Sequence, residues 1–151
     1  SGNIFDHIEV NYLYPKGVRA YMAQRQQRRC HNENSDYLLG TKGRADIARG
    51  IYIENAKGRW TYDGKRENMY QVEHNELFKS IRDGKPINNG ERMALSTMMA
   101  IMGRTAAYTG KEITYEQALN SKEDRFPKDM NWKTGKHTPP PLAQPGITPF
   151  V

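Results

Sequence analysis

One cysteine, Cys30, stands in a chain of 151 residues. An intrachain disulfide is therefore excluded, and a cysteine-based zinc site has no ligands to draw on. Cys30 reads as a reduced small side chain with no catalytic role. No apolar run approaches the roughly 18 residues of a membrane helix, and no charged-then-apolar leader opens the chain. The opening Ser1-Gly2 matches a cloning remnant, so localisation is unknown, with cytoplasm and periplasm both open. Neither G-x-G-x-x-G nor G-x-x-x-x-G-K-[ST] occurs, which excludes nucleotide sites of those two kinds. G-x-S-x-G and H-E-x-x-H are also missing, and with them a serine-hydrolase elbow and a zinc-protease helix.

Apolar residues make up only 36% of the chain, yet it carries two Trp, nine Tyr and four Phe. That is too aromatic for a disordered segment, and the length suits one domain with a core. The formal charge is +6. A basic balance suits nucleic acid or an acidic surface. The 17 acids are mixed along the chain, however, and the one dense basic cluster is Arg25, Arg28 and Arg29, with Lys42 and Arg44 near it. A solvated face is the simpler reading, and neither a nucleic-acid nor a membrane partner is expected.

The first 62 residues alternate. Ile8, Val10, Tyr12 and Tyr14 fall on one side of a period-two run over Ile4–Tyr14, which predicts a strand. Pro15-Lys16-Gly17 is a turn, because Pro fixes φ and Gly accepts a left-handed conformation. Val18–Gln26 returns, with Val18, Ala20 and Met22 on one face, completing a hairpin. Arg28–Asn34 reads as a polar loop. Asp36–Leu39, Arg44–Ala48, Gly50–Asn55 and Arg59–Tyr62 follow as short strands joined by Thr41-Lys42-Gly43 and Ala56-Lys57-Gly58. Met69–Asp83 then has helical spacing, with Tyr70, His74, Leu77 and Ile81 in one stripe widened by Phe78. Gly84 and Pro86 stop it. Asn88 or Asn89 caps a second helix that ends at Gly110. Leu95, Met98, Met99, Met102 and Ala106 form its apolar face. Ser96, Ala100, Gly103 and Ala107 form a small-residue stripe that lets another element come close. Thr114-Tyr115-Glu116-Gln117 is a capping box opening a third, short helix.

Strands followed by helices predict an α+β domain. The expected form is one open, mainly antiparallel sheet of about six strands with two to three helices on one face. Residues 1–120 would be this domain. Residues 121–151, with Pro139-Pro140-Pro141, Pro145 and Pro149, would be an extended tail lying across another surface through Leu142, Ile147, Phe150 and Val151. The four histidines are scattered, so the residues alone show no self-contained active site or metal cluster.

Two long stretches carry a resemblance. Tyr70-x-x-Glu73-His74-x-x-Leu77-Phe78-x-Ser80-Ile81-Arg82-x-Gly84-Lys85-Pro86-Ile87-Asn88 is one. Ser96-Thr97-Met98-x-Ala100-Ile101-Met102-Gly103-Arg104-x-Ala106-Ala107-Tyr108-Thr109-Gly110-Lys111-Glu112-Ile113-Thr114 is the other. With Gly17-Val18-Arg19, Arg25-Gln26, Cys30-His31-Asn32 and Gly40-Thr41-Lys42-Gly43, they resemble the C-terminal domain of the glucose–fructose oxidoreductase/inositol dehydrogenase/rhizopine-catabolism (Gfo/Idh/MocA) family. The ending Pro145-Gly146-x-Thr148-x-Phe150 is similar to a bacterial subgroup of it. The set spans nearly the whole chain; its specificity lies in the order, not in any one motif.

The resemblance implies a dihydrodipicolinate-reductase-like C-terminal domain that walls the substrate pocket and pairs subunits. NAD or NADP would be held by a Rossmann domain absent from this chain, and this chain alone would be inactive. Hydride would pass between a sugar or polyol carbon and the nicotinamide. Arg25, His31, Glu73 and His74 are the candidate substrate-binding residues: Arg25 through its fork of donors, the histidines through hydroxyl contacts. No catalytic, cofactor or metal residue is expected among the 151. A homo-oligomer through the sheet face is the expected partner. The competing reading is a free-standing protein-binding or scaffold domain.

Overall fold

A computed structural model describes residues 3–151; Ser1-Gly2, the remnant suggested above, lies outside them. The fold is α+β, in the order β1 (His7–Leu13), β2 (Arg19–Arg25), β3 (Tyr37–Gly40), β4 (Gly43–Asp46), β5 (Tyr52–Asn55), β6 (Gly58–Thr61), α1 (Met69–Arg82), α2 (Gly90–Thr109) and α3 (Tyr115–Leu119). All six expected strands form, and every pairing is antiparallel. They do not make one six-stranded sheet. β1 and β2 pair only with each other, while β3-β4-β5-β6 form a separate four-stranded meander. The expectation of a single sheet is corrected here. Alternation and turn residues specify strands and the hairpins between neighbours. They do not record whether the free edge of one hairpin meets the next.

The chain divides into two compact units, Ser1–Arg28 with Asn88–Val151, and Arg29–Ile87.

In the first unit, β1 and β2 register Ile8 against Gln24, Val10 against Met22 and Tyr12 against Ala20. Ile8, Val10, Tyr12, Ala20 and Met22 are half-buried in the hairpin, as the alternation predicts. Its turn is a 3-10 turn over Pro15–Gly17, in which Lys16 and Gly17 both have positive φ. β1 packs on α2. The Tyr12 hydroxyl donates to the Met99 carbonyl at 2.9 Å, and the Tyr14 hydroxyl meets Met99 Sδ at 3.2 Å. Gly103 lies directly beneath Tyr12, so the small-residue stripe of α2 does admit a close neighbour. Tyr108 stacks on Phe5 at 4.3 Å, and the Arg104 guanidinium lies over the Tyr108 ring at 4.1 Å. Among the described residues, Tyr108 and Ala118 are the most buried apolar side chains, and each keeps a little exposed surface.

α2 ends at Gly110 in the left-handed conformation. α3 opens with the expected capping box, Thr114 and Gln117 each receiving the other's backbone N–H. The last residues of the tail lie against the end of α2 and the segment that follows α3. Gly146 N donates to Thr109 O at 2.8 Å, and Ser121 Oγ donates to Val151 O at 2.6 Å.

In the second unit the meander is held by a carboxylate. Buried Asp46, at the end of β4, accepts the backbone N–H groups of Ala48, Arg49 and Gly50 at 3.0, 2.9 and 2.9 Å. The Arg49 amide leads in holding this carboxyl below the ordinary range; Gly50, Ala48 and the charge of Arg66 add to it against the cost of burial. A folded value below the unfolded value of about 3.9 gives stability that is present above that pH and is lost as pH falls through the folded value. Asp46→Asn is therefore expected to lower the thermal midpoint at neutral pH. It is also expected to flatten the decline below about pH 4. Midpoints measured by circular dichroism between neutral and acid pH check both; equal acid slopes for the two proteins would remove Asp46 from the account.

α1 starts at Asn68, whose side chain accepts from the N–H groups of Tyr70 and Gln71. It ends as expected, with Gly84 at φ 63° and Lys85 N on Ser80 O at 2.9 Å. Its stripe of Tyr70, Leu77, Phe78 and Ile81 stays exposed.

Candidate functional site

The register of the four-stranded sheet sorts its side chains into two unlike faces. Leu38, Ala45, Ile53 and Trp60 stand opposite one another across β3, β4, β5 and β6. They form an uncharged row, and Leu38, Ile53 and Trp60 each remain more than half exposed. The other face carries Leu39, Arg44, Glu54 and Arg59 in one row and Tyr37, Asp46, Tyr52 and Thr61 in the next. Glu54 takes Arg44 at 3.0 Å and Arg59 at 3.8 Å, and Arg59 also lies over the Tyr52 ring at 3.7 Å. Such pairs are screened at a surface and add little stability; their effect is to hold a flat, hydrophilic floor. An open cavity of about 290 Å³ lies at the end of this floor, lined by Lys42, Arg44, Glu54 and Asn55.

Beside Tyr37 the chain arrives in an extended segment, and it presents a cluster that the sequence reading passed over. The Tyr37 hydroxyl donates to Glu33 Oε1 at 2.6 Å, and His31 Nε2 lies 3.2 Å from Glu33 Oε2. The Tyr37 hydroxyl and His31 hold the Glu33 carboxyl below its usual range, in that order of importance, and Glu33 in turn raises the Tyr37 phenol. At neutral pH the cluster is a carboxylate flanked by a neutral phenol donor and an imidazole. Ser35 Oγ sits buried in the same stretch. A signal was present: His31, Glu33, Ser35 and Tyr37 are spaced by two, the period of an extended chain. The loop expected over Arg28–Asn34 covers His31 and Glu33, while Tyr37 falls in the expected strand, so the shared period runs across that boundary.

The four candidate residues fall as follows. His31 is part of this cluster. Glu73 and His74 are exposed on α1 in the same unit. His74 does not pack into an apolar stripe; its Nδ1 faces Tyr70 O at 2.7 Å, one turn back. Arg25 ends β2 in the other unit, opposite His7. The geometry thus joins His31 to Glu33 and Tyr37 rather than to a second member of the original set.

The cluster suits polyhydroxylated ligands. A carboxylate and an imidazole accept or donate to hydroxyls, and the charged floor beyond Tyr37 offers guanidinium donors. A dinucleotide site makes a different demand. That site needs a strand turning through glycines into a helix whose first N–H groups are free for pyrophosphate. At α1 those groups are taken by Asn68. Among the described residues no group of histidine, cysteine and carboxylate side chains is placed to hold a metal ion, and no helix is long and apolar enough to cross a membrane. No family model, curated protein or solved structure matches the chain.

Proposed function

We propose that this chain is the substrate-side, C-terminal domain of an NAD- or NADP-dependent oxidoreductase acting on a sugar or polyol. In the whole enzyme, hydride passes between a substrate CH–OH carbon and a nicotinamide held by a separate Rossmann domain. This domain supplies hydroxyl-binding side chains and a subunit interface. Support comes from the ordered motifs over Tyr70–Thr114 and from the His31–Glu33–Tyr37 cluster.

The carrying observation is a sheet face left bare: Leu38, Ile53 and Trp60 are each more than half exposed. The uncharged row of Leu38, Ala45, Ile53 and Trp60 has the composition of an interface core, which is depleted of charge. A homo-oligomer through that face follows from this reading.

The test uses the full-length gene product. It is expected to reduce a nicotinamide cofactor with a member of a sugar and polyol panel, and to run as an oligomer in light scattering. Arg25→Ala and His74→Ala are expected to weaken substrate binding or turnover by about tenfold or more, the scale of a lost charge-assisted or positioning contact, with unchanged melting. Unchanged kinetics in both variants would remove them from the pocket. A full-length product without a nucleotide-binding domain would favour the second reading, a protein-binding scaffold, which the bare Leu38–Trp60 row also suits.

A further inference from the structure

A second surface in the first unit differs in kind from the bare apolar row. Between α3 and the proline run, Asn131 closes a tight turn. Asn131 N donates to Lys136 O at 2.9 Å and Gly135 N to Asn131 O at 2.7 Å. Asn131 Oδ1 takes the N–H groups of Lys133 and Thr134, each at 3.1 Å. Gly135 adopts φ 66°, a conformation that glycine accepts without strain. Asp129 clasps the base of the turn by accepting both the backbone N–H and the hydroxyl of Thr138.

The turn presents Trp132 with 79% of its surface exposed. The Phe126 ring lies beside it, 5.9 Å between centroids and tilted by 36°. Lys133 and Lys136 stand in the same turn. The carboxylates of this stretch are engaged locally: Glu123 with Arg125, Asp124 with Lys128, Asp129 with Thr138.

Lysine is depleted at the cores of protein interfaces, so the two lysines of this turn argue against a buried protein contact. Together with the two rings they fit a ligand that offers both C–H faces and negative charge. The C–H face of a pyranose ring carries slight positive charge, and an aromatic face is negative. Lysine is a mobile point cation suited to a carboxylate.

We propose that the Asn131–Lys136 turn binds an acidic polysaccharide, with Trp132 and Phe126 stacking on sugar rings and Lys133 and Lys136 facing uronate carboxylates. The site is separate from the His31 cluster and does not depend on the oxidoreductase reading. Isothermal titration of the whole chain with oligogalacturonate tests it. Binding is expected to weaken about tenfold in Trp132→Ala, the scale of one lost stacking contact, and less in Trp132→Phe, which keeps a ring. The methyl ester of the same oligomer and the variant Lys133→Gln/Lys136→Gln are each expected to bind several-fold more weakly than the parent pair. Circular dichroism identifies any variant that fails to fold, and Trp132→Phe then stands in for Trp132→Ala. The proposal is overturned by any of four results: no binding to the uronate, equal binding by Trp132→Ala and the parent, equal binding of acid and ester, or tighter binding to oligothymidylate or to anionic vesicles than to the uronate.

Discussion

Gly103→Ala is expected to destabilise the protein by about 1–3 kcal/mol, the usual cost of an extra carbon in a packed contact. At an exposed position inside a helix the same change stabilises by about 1 kcal/mol, because alanine restricts the unfolded chain. The neighbours decide which effect wins. Gly103 is buried on α2, and a Cβ built on it falls on the Tyr12 hydroxyl, with Tyr12 Cζ and Met22 Cε both at 3.3 Å. The tyrosine is not free to swing, since its hydroxyl is bonded to Met99 O one turn earlier on the same helix. The added methyl therefore lifts β1 from α2 or breaks that bond. Tyr12→Phe alone is expected to cost about 1 kcal/mol for the lost hydrogen bond. The Met99 carbonyl keeps its helical partner, so no buried acceptor is orphaned. In the Tyr12→Phe background Gly103→Ala is expected to cost markedly less, a coupling that a double-mutant cycle by thermal or urea unfolding measures. Additive costs would mean that the methyl strains something other than the Tyr12 contact.

What the sequence records of this fold is local. The β1–β2 hairpin is legible because Ile8, Val10 and Tyr12 share one side and Pro15-Lys16-Gly17 can only turn. The C-terminal end of α1 is legible in Gly84 and Pro86, and the start of α3 in the Thr114–Gln117 pair, since caps satisfy backbone groups within a few residues. The stripe Ser96, Ala100, Gly103 and Ala107 announces a close approach but not that Tyr12 makes it. Sheet membership is a matter between segments far apart in sequence, so the split between the β1–β2 pair and the four-stranded meander leaves no local mark. Helical periodicity likewise shows that Tyr70, Leu77, Phe78 and Ile81 share a face. It does not say what covers that face, and it is bare here. The same limit applies to the site. His31 stands out by residue type, but its importance comes from Glu33 and Tyr37, and these become visible only when the two-residue period is carried past the strand into the segment before it.

Gly110→Ala is the second change with a large expected effect, and it acts on the tail as well as on the helix. Gly110 ends α2 at φ 69°, ψ 22°, and its N–H bonds back to Ala106 O. A residue with a Cβ pays about 1–2 kcal/mol to hold that left-handed conformation. Here the Cβ has no room either: it would stand 2.7 Å from Gly146 N and 3.0 Å from Pro145 Cβ. The contact it invades is the one through which the tail is fastened, Gly146 N to Thr109 O at 2.8 Å. Beyond it, Gln144 N bonds Thr148 Oγ1 at 2.7 Å, and Ser121 Oγ bonds Val151 O. Losing the first fastening therefore loosens a chain of contacts that closes a small cavity of about 70 Å³ lined by Arg104, Tyr108, Glu123 and Phe150. Two readouts follow. The melting midpoint falls, and residues 142–151 become cleavable by a protease before the rest of the chain unfolds, because local release precedes global unfolding. Gly146→Ala supplies the control. Its Cβ meets nothing within 4 Å although its φ is 86°, so it carries the conformational cost without the clash. Equal protease sensitivity in the two variants would assign the effect to backbone strain alone; greater sensitivity in Gly110→Ala assigns it to the seat of the tail on α2.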